Sequence, residues 1–88
     1  MLDRTKPASI SRVATLVDKL LARRSITRLV EADDDLTASG LSSLDLVNLM
    51  LSVEAEFGIK IPERDMTPSN FRSIVRIDAL VQNLLQPA

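Results

Sequence analysis

Residues 40–58, GLSSLDLVNLMLSVEAEFG, form the stretch that decides the fold of this chain. Apolar residues recur through it at the three- and four-residue spacing of an α-helix. The only two glycines of the sequence, Gly40 and Gly58, stand at its ends. Because Gly58 can adopt the left-handed conformation that ends many helices, the pattern predicts a helix from residue 43 to residue 57.

This second helix of the chain carries two apolar groups when it is drawn as a helical wheel. One group must face the core: Leu46, Leu49, Met50, Val53 and Phe57. Opposite it lie residues predicted to face water: Asp45, Ser52 and Glu56. The other apolar group lies on the flank: Leu44, Val47, Leu51 and Ala55. Either another helix covers this flank or part of it is open to a partner, and we expect Val47 to be covered and Leu44 and Leu51 to be open.

Further helices are predicted on both sides of this stretch. Apolar spacing between Ile10 and Leu21 predicts a first helix over about 8–24, which starts near Pro7 and has Ser9 as its N-cap. Thr67 and Pro68 predict a short helical turn that ends near Phe71. A last helix, capped by Ser73, is predicted through about Leu85. Its inward residues are expected to be Ile74, Ile77, Val81, Leu84 and Leu85.

Residues 25–41 show no clear period, which is unusual for so long a segment inside one domain. The segment must therefore contain short helical turns or be held by its own apolar residues. These are Ile26, Leu29, Val30, Leu36 and Leu41. The acidic triplet of residues 33–35 is predicted to be a solvated turn, and residues 59–62 to be an extended connector.

The length of 88 residues suits a single domain covering residues 1–88. The elements together predict an all-α four-helix bundle with three main helices, a short third helix and a long loop between the first and second helices. The chain has neither cysteine nor histidine, which excludes disulfides, thiolate metal sites and the commonest general base. The composition therefore points to no catalytic residue and to no metal site.

Charge is distributed unevenly along the chain. Residues 1–28 carry a net charge of +5, residues 29–66 carry −7 and residues 67–88 carry +1. A nucleic-acid interface using Arg23, Arg24 and Arg28 is a weak alternative, since that end has no aromatic residue for base stacking and the acidic middle would repel phosphate.

Residues 1–4 lack the apolar run of a secretory signal, and no stretch reaches the roughly 20 apolar residues of a membrane span. These features favour a cytoplasmic location.

Ser42 and Ser43 stand at the predicted start of the second helix. Their structural role would be to cap the helix, because a serine hydroxyl can accept a hydrogen bond from the free amides of the first turn. The same position also suits a phosphate ester, because the free amides and the helix dipole favour a negative charge there. Position alone does not choose between these two roles.

The spacing of several motifs resembles that of the acyl carrier proteins. The resemblance rests on Asp35-Leu36, on residues 40–47 (GLSSLDLV) and on residues 54–62 (EAEFGIKIP). The motifs match closely over residues 35–62, and the remainder of the chain resembles the family in the order of its predicted elements. It implies that Ser43 accepts 4′-phosphopantetheine from coenzyme A through a phosphopantetheinyl transferase. The thiol of that arm would then carry an acyl or aminoacyl group as a thioester. The resemblance also implies that the protein itself is not an enzyme, which agrees with its lack of histidine and cysteine.

The resemblance also implies a set of partners. Besides the transferase, these are an acyl- or aminoacyl-loading ligase and a downstream acyltransferase or synthase, with the carrier itself a monomer. The surface expected to dock them is formed by Leu44, Asp45, Asn48, Leu51 and Ala55.

Three residues depart from the family pattern. Ser42 replaces the usual aspartate before the attachment serine, which puts in question how readily the usual transferases act. Asn48 and Ala55 replace glutamates that fatty-acid carriers use to attract basic partners. These departures favour a specialised acyl or aminoacyl cargo over housekeeping fatty-acid synthesis. The alternative from another class is an unmodified helical module that binds a protein through the same apolar flank.

Overall fold

The computed structural model describes residues 8–27 and 29–86, so the helix start predicted near Pro7 lies outside the described residues. Three α-helices follow one another along the chain: α1 (Ser9–Arg23), α2 (Ser43–Phe57) and α3 (Ile74–Leu85). A 3₁₀ helix of three residues, Glu63–Asp65, lies between α2 and α3. The described residues contain no β-strand. The all-α class and the three main helices are thus confirmed.

The core forms where α1 packs against both α2 and α3. It is aliphatic apart from one ring, Phe71, which is fully buried. From α1 it takes Val13, Val17, Leu20 and Leu21. From α2 it takes Leu46, Leu49, Met50 and Val53, as the helical wheel predicted. Phe57 is partly buried against this core, and the Arg12 guanidinium of α1 lies 4.4 Å from the centre of its ring.

The end of α1 is a left-handed turn made without glycine. Ser25 has φ 57°. Its amide donates to the Ala22 carbonyl, and the Ile26 amide donates to the Leu21 carbonyl at 2.9 Å. These two bonds satisfy carbonyls that the last turn of a helix leaves free. The turn brings Ile26 back against the core, where it is partly buried.

The long loop between α1 and α2 is held by buried residues and by backbone bonds to the start of α3. Leu36 is fully buried and Leu41 nearly so. The Leu36 amide donates to the Arg72 carbonyl at 2.8 Å, and the Val75 amide donates to the Ala32 carbonyl at 2.9 Å. The prediction that apolar residues hold this loop is confirmed. Leu29 is the exception, since 85% of it is exposed.

The acidic triplet shapes a turn within this loop. Asp34 accepts a hydrogen bond from the Glu31 amide at 2.8 Å, and Asp35 accepts from the Thr37 amide and hydroxyl. Asp33 is exposed, and both of the other acids keep partial exposure. The predicted solvated turn is therefore present, and two of its carboxylates also fix the local backbone.

The end of α2 follows the prediction closely. Gly58 adopts the left-handed conformation, with φ 63°, directly after Phe57. Residues 59–62 are extended, and the Ile61 amide donates to the Glu54 carboxylate at 2.7 Å. Ile61 is nearly fully buried, so this bond fixes the connector against α2.

Three details of the predicted helices were wrong. Residues 67–71 form turns rather than a helix, with the Asn70 amide donating to the Thr67 carbonyl and hydroxyl. Ser9 is not the cap of α1, because Ala8 occupies that position and the Ser9 hydroxyl donates instead to the carboxylate of Asp78 on α3. In α3, Leu85 is half exposed, and Leu80 is buried in addition to the predicted inward residues.

Candidate functional site

Ser42 caps the start of α2, and Ser43 takes no part in that cap. Ser42 is the N-cap, and its hydroxyl accepts a hydrogen bond from the Asp45 amide at 3.2 Å. The Asp45 carboxylate in turn accepts from the Ser42 amide at 2.8 Å. Such a reciprocal pair satisfies two of the free amides at a helix start. Ser43 is the first residue of α2 and is exposed, so its hydroxyl projects from a fixed helix end.

Asp45 is buried at this helix start, with 6% of its surface exposed. The backbone hydrogen bond from Ser42 holds the pKa of its carboxyl below the ordinary value of 3.8. Burial opposes this shift, whereas the Ser42 hydroxyl and the charge of Arg24 add to it. The prediction that Asp45 faces water was wrong, because the cap draws its side chain inward.

Arg24, at the end of α1, forms an ion pair with Asp45 at the start of α2. Its Nε lies 3.2 Å from the Asp45 carboxylate, and half of its side chain is exposed. This ion pair was not predicted from the sequence. A contact between residues so far apart along the chain has no sequence pattern, and it becomes visible only when the end of α1 is placed beside the start of α2.

The predicted docking surface is exposed apart from Asp45. Leu44 is 70% exposed and Leu51 is 56% exposed, and Asn48 and Ala55 are also at the surface. Val47, which was expected to be covered by another helix, is 46% exposed. The exposure of these residues shows that no helix within the described residues covers this flank of α2, whose buried side packs against α1. We call Leu44, Val47 and Leu51 the α2 apolar strip.

The Ser43 hydroxyl is a nucleophile at the protein surface. The chain has no histidine or cysteine. In residues 8–27 and 29–86 there is no group of three or more acidic residues placed to hold a metal ion. Nor is any helix there long and apolar enough to cross a membrane. A serine hydroxyl in these surroundings can be modified by another enzyme.

The family model for the phosphopantetheine attachment site matches residues 11–77, most of the chain. This chain belongs to that family. Its members are carrier proteins, and 4′-phosphopantetheine is the group that is attached to them. The carrier role and the cofactor expected from the resemblance are thereby confirmed.

Curated proteins and solved structures that are similar to this chain include carrier proteins. Aminoacyl carrier protein 1 of Bradyrhizobium diazoefficiens is 41% identical over 78 residues, which cover 89% of this chain and 87% of that protein. The fold also matches a chain in the crystal structure of Bradyrhizobium japonicum glycine:carrier protein ligase complexed with glycylated carrier protein. The TM-score is 0.76 at 32% identity, and the match covers 84% of this chain and 99% of that one.

A second crystal structure contains the same ligase with its cognate carrier protein and an analogue of glycyl adenylate. It matches with a TM-score of 0.78 at 32% identity, covering 88% of this chain and 99% of that one. Because so small a protein covers nearly the whole matched chain in both cases, the matched chains are the carriers and not the ligase.

Proposed function

We propose that this chain is an aminoacyl carrier protein whose 4′-phosphopantetheine arm is attached to Ser43. The single observation that carries the proposal is the exposed Ser43 hydroxyl at the first position of α2, in a chain of the phosphopantetheine attachment family. Ser42 is already used by the cap, which makes Ser43 the better placed of the two serines.

Attachment requires a phosphopantetheinyl transferase. The Ser43 oxygen would attack the phosphorus of coenzyme A that bears the pantetheine, the Ser43 proton would pass to a base of the transferase, and adenosine 3′,5′-bisphosphate would leave. The resulting phosphodiester would lie at the amino end of α2, where the helix dipole favours negative charge. No step in this sequence requires a catalytic group of the carrier, so we propose that the chain is not an enzyme.

Loading would be done by an ATP-dependent ligase. The ligase would form an aminoacyl adenylate, and the arm's thiol would displace AMP to give a thioester. The similarity to carrier proteins crystallised with a glycine ligase supports an aminoacyl cargo over a fatty-acyl one. Asn48 and Ala55 support it as well, because two neutral residues on the exposed side of α2 leave little charge for steering basic partners.

We propose that the α2 apolar strip, with Asn48 and Ala55, docks the transferase, the ligase and a downstream acyltransferase. Large apolar side chains exposed in a row on one helix are typical of a protein interface. Asp45 is no part of this surface, because its carboxylate is buried in the cap. A cytoplasmic location, where coenzyme A and ATP are both available, suits this function.

Intact-mass measurement tests the attachment. The purified chain is incubated with coenzyme A and a broad-specificity transferase. We expect one phosphopantetheine adduct in the wild type and in Ser42→Ala, and none in Ser43→Ala. An adduct on Ser42 would mean that the attachment residue is assigned wrongly. No adduct with several transferases would favour the unmodified interaction module.

Loading of the modified protein tests the cargo. We expect a glycine:carrier protein ligase, supplied with ATP and a panel of amino acids, to form a thioester that hydroxylamine releases. Fatty-acyl ligases serve as the comparison. If they load the arm while every amino acid fails, the cargo assignment is overturned and the carrier role stands.

A further inference from the structure

The start of α2 must accommodate a new charge once the arm is attached. A phosphodiester brings one negative charge to Ser43, immediately after the cap formed by Ser42. Three features determine the local electrostatics: the positive end of the α2 dipole, the Asp45 carboxylate and the Arg24 guanidinium. Asp45 is the only acidic residue between positions 36 and 53, so no other carboxylate of this segment adds negative charge.

The Asp45 charge is directed into the protein. One of its oxygens, Oδ2, accepts from the Ser42 amide at 2.8 Å and from the Ser42 hydroxyl at 3.0 Å. The Nε of Arg24 lies 3.2 Å from the same oxygen. Only 8% of the Asp45 side chain is exposed. A phosphate at the surface therefore meets a carboxylate whose charge is already compensated by hydrogen bonds and by one arginine.

The Arg24 side chain is much more exposed than that of Asp45. It is 51% exposed, although its Nε is held by Asp45. A guanidinium has five N–H donors in a planar fork, and the pair with Asp45 uses the Nε side of it. Among residues 8–27 and 29–86 the Arg24 side chain has no other polar partner, so its remaining donors can reach a second anion. Asp45 Oδ2 links this guanidinium to the residue that precedes Ser43, through an ion pair of 3.2 Å with Arg24 Nε and a hydrogen bond of 2.8 Å from the Ser42 amide.

We propose that Arg24 binds the phosphodiester of the arm and so positions the arm against the start of α2. This inference rests on the proposed attachment at Ser43. Arg24 would act with the free amides of the first turn, and the phosphate would receive charge-assisted hydrogen bonds from both. Ser42 contributes to the arrangement by being neutral, because a carboxylate at that position would compete with the phosphate for the same guanidinium.

The role of Arg24 can be isolated from its pair with Asp45 by a cycle of four proteins. The urea midpoint of unfolding is measured for the apo and holo forms of the wild type and of Arg24→Gln. Loss of the Arg24–Asp45 pair affects both forms of the variant and cancels in the holo-minus-apo difference. The matched control is Arg23→Gln, since Arg23 is the preceding residue but lines a groove against Asn48. Arg24→Lys keeps the charge without the planar fork.

We expect the holo form to have the higher urea midpoint in the wild type and in Arg23→Gln. This increment should fall by at least half in Arg24→Gln and take an intermediate value in Arg24→Lys. The NMR resonance of the Arg24 Nε–H should also shift when the arm is attached. An equal increment in wild type and Arg24→Gln, together with an unchanged Nε–H resonance, would overturn the inference and leave the attachment at Ser43 intact. A chain that takes no adduct at Ser43 overturns the proposed function and this inference with it.

Discussion

The Asp45 amide donates to the Ser42 hydroxyl at 3.2 Å, while the Ser42 amide donates to the Asp45 carboxylate at 2.8 Å. The two residues thus fix each other at the start of α2. Two adjacent serines are thereby given different roles. Ser42 maintains the helix start, and Ser43 remains at the surface without a part in the cap.

Replacing the capping serine is expected to lower stability where replacing its neighbour does not. Ser42→Ala removes the hydroxyl that caps α2, which should cost about 1 kcal/mol of unfolding free energy. Ser43→Ala should stay within about 0.5 kcal/mol of the wild type, as surface substitutions usually do. Urea denaturation of both apo variants measures the difference. Equal losses would contradict the division of roles between the two serines.

The Asp45 cap is expected to make stability depend on pH in acid. The pKa of folded Asp45 is lowered, chiefly by the hydrogen bond from the Ser42 amide. The ionised cap therefore stabilises the fold above the unfolded-state pKa, and this contribution is lost as pH falls through the folded-state pKa. Asp45→Asn should be less stable than the wild type at pH 7, and the gap should narrow below about pH 4.

Urea midpoints measured from pH 7 to pH 2.5 check this dependence. Asp33→Asn is the control, since Asp33 is exposed and outside the cap. A gap between wild type and Asp45→Asn that stays constant over the whole range would show that the cap does not depend on the charge of Asp45.

The left-handed turn after α1 is expected to become more stable with glycine. Ser25 has φ 57°, a conformation that costs a residue with a side chain about 1 kcal/mol relative to glycine. Ser25→Gly should raise the unfolding free energy by about 0.5 kcal/mol, because greater freedom of the unfolded chain offsets part of the gain. Ser52→Gly, on the exposed face of α2, should lower it by about 0.5–1 kcal/mol. Thermal or urea unfolding checks both signs, and the same sign for both variants would refute the strain at Ser25.

Two leucines of the same loop are expected to differ in their effect on stability. Leu36 is fully buried, so Leu36→Ala should cost about 2–5 kcal/mol through lost burial and the cavity left behind. Leu29 is 85% exposed, so Leu29→Ala should change stability by less than about 0.5 kcal/mol. Urea denaturation of the pair tests whether the loop is part of the core. A small effect at Leu36 would mean that the loop packs only loosely.

The α2 apolar strip is expected to matter for loading and not for folding. Leu51→Ala removes an exposed side chain, and we expect kcat/KM for aminoacylation of the holo protein to fall about tenfold. Leu85→Ala, at a leucine of α3 that is 49% exposed, should leave loading unchanged. Steady-state loading assays, with urea midpoints measured in parallel, separate the two effects. Equal loading rates for Leu51→Ala and the wild type would remove this residue from the docking surface.

The sequence was sufficient to predict what local patterns determine. Gly58 and the apolar spacing predicted the bounds of α2, and Ser73 was correctly predicted to cap α3, where its hydroxyl accepts from the Arg76 amide. Burial of the core side of α2 followed from its period, because a helix of this size must bury one face. Motif spacing, rather than any local tripeptide, is also the basis of the attachment predicted at Ser43, which stays a prediction.

The errors arose where a cap or a contact between distant segments outweighs the preference shown by the helical wheel. Asp45 lies on the polar side of the wheel, yet the cap and Arg24 draw it inward. Ser9 had the chemistry of a cap but donates to Asp78 on α3. Val47 looked like a residue that a neighbouring helix would cover, and only the placement of α1 and α3 shows the flank to be open. The Ser42–Asp45 pair does have a sequence pattern, Ser-x-x-Asp at a helix start, which the helical wheel does not consider. The contacts of Arg24 and Ser9 with distant segments have none.

The division between Ser42 and Ser43 has a consequence for how the protein is made. Since the fold uses the hydroxyl of Ser42 and not that of Ser43, the newly synthesised chain can reach its final shape before any arm is attached. With the attachment proposed at Ser43, the transferase would act on a finished surface, and unarmed and armed molecules would coexist as two pools of one structure. The amount of working carrier would then follow the supply of coenzyme A and of transferase activity, without synthesis or breakdown of the protein.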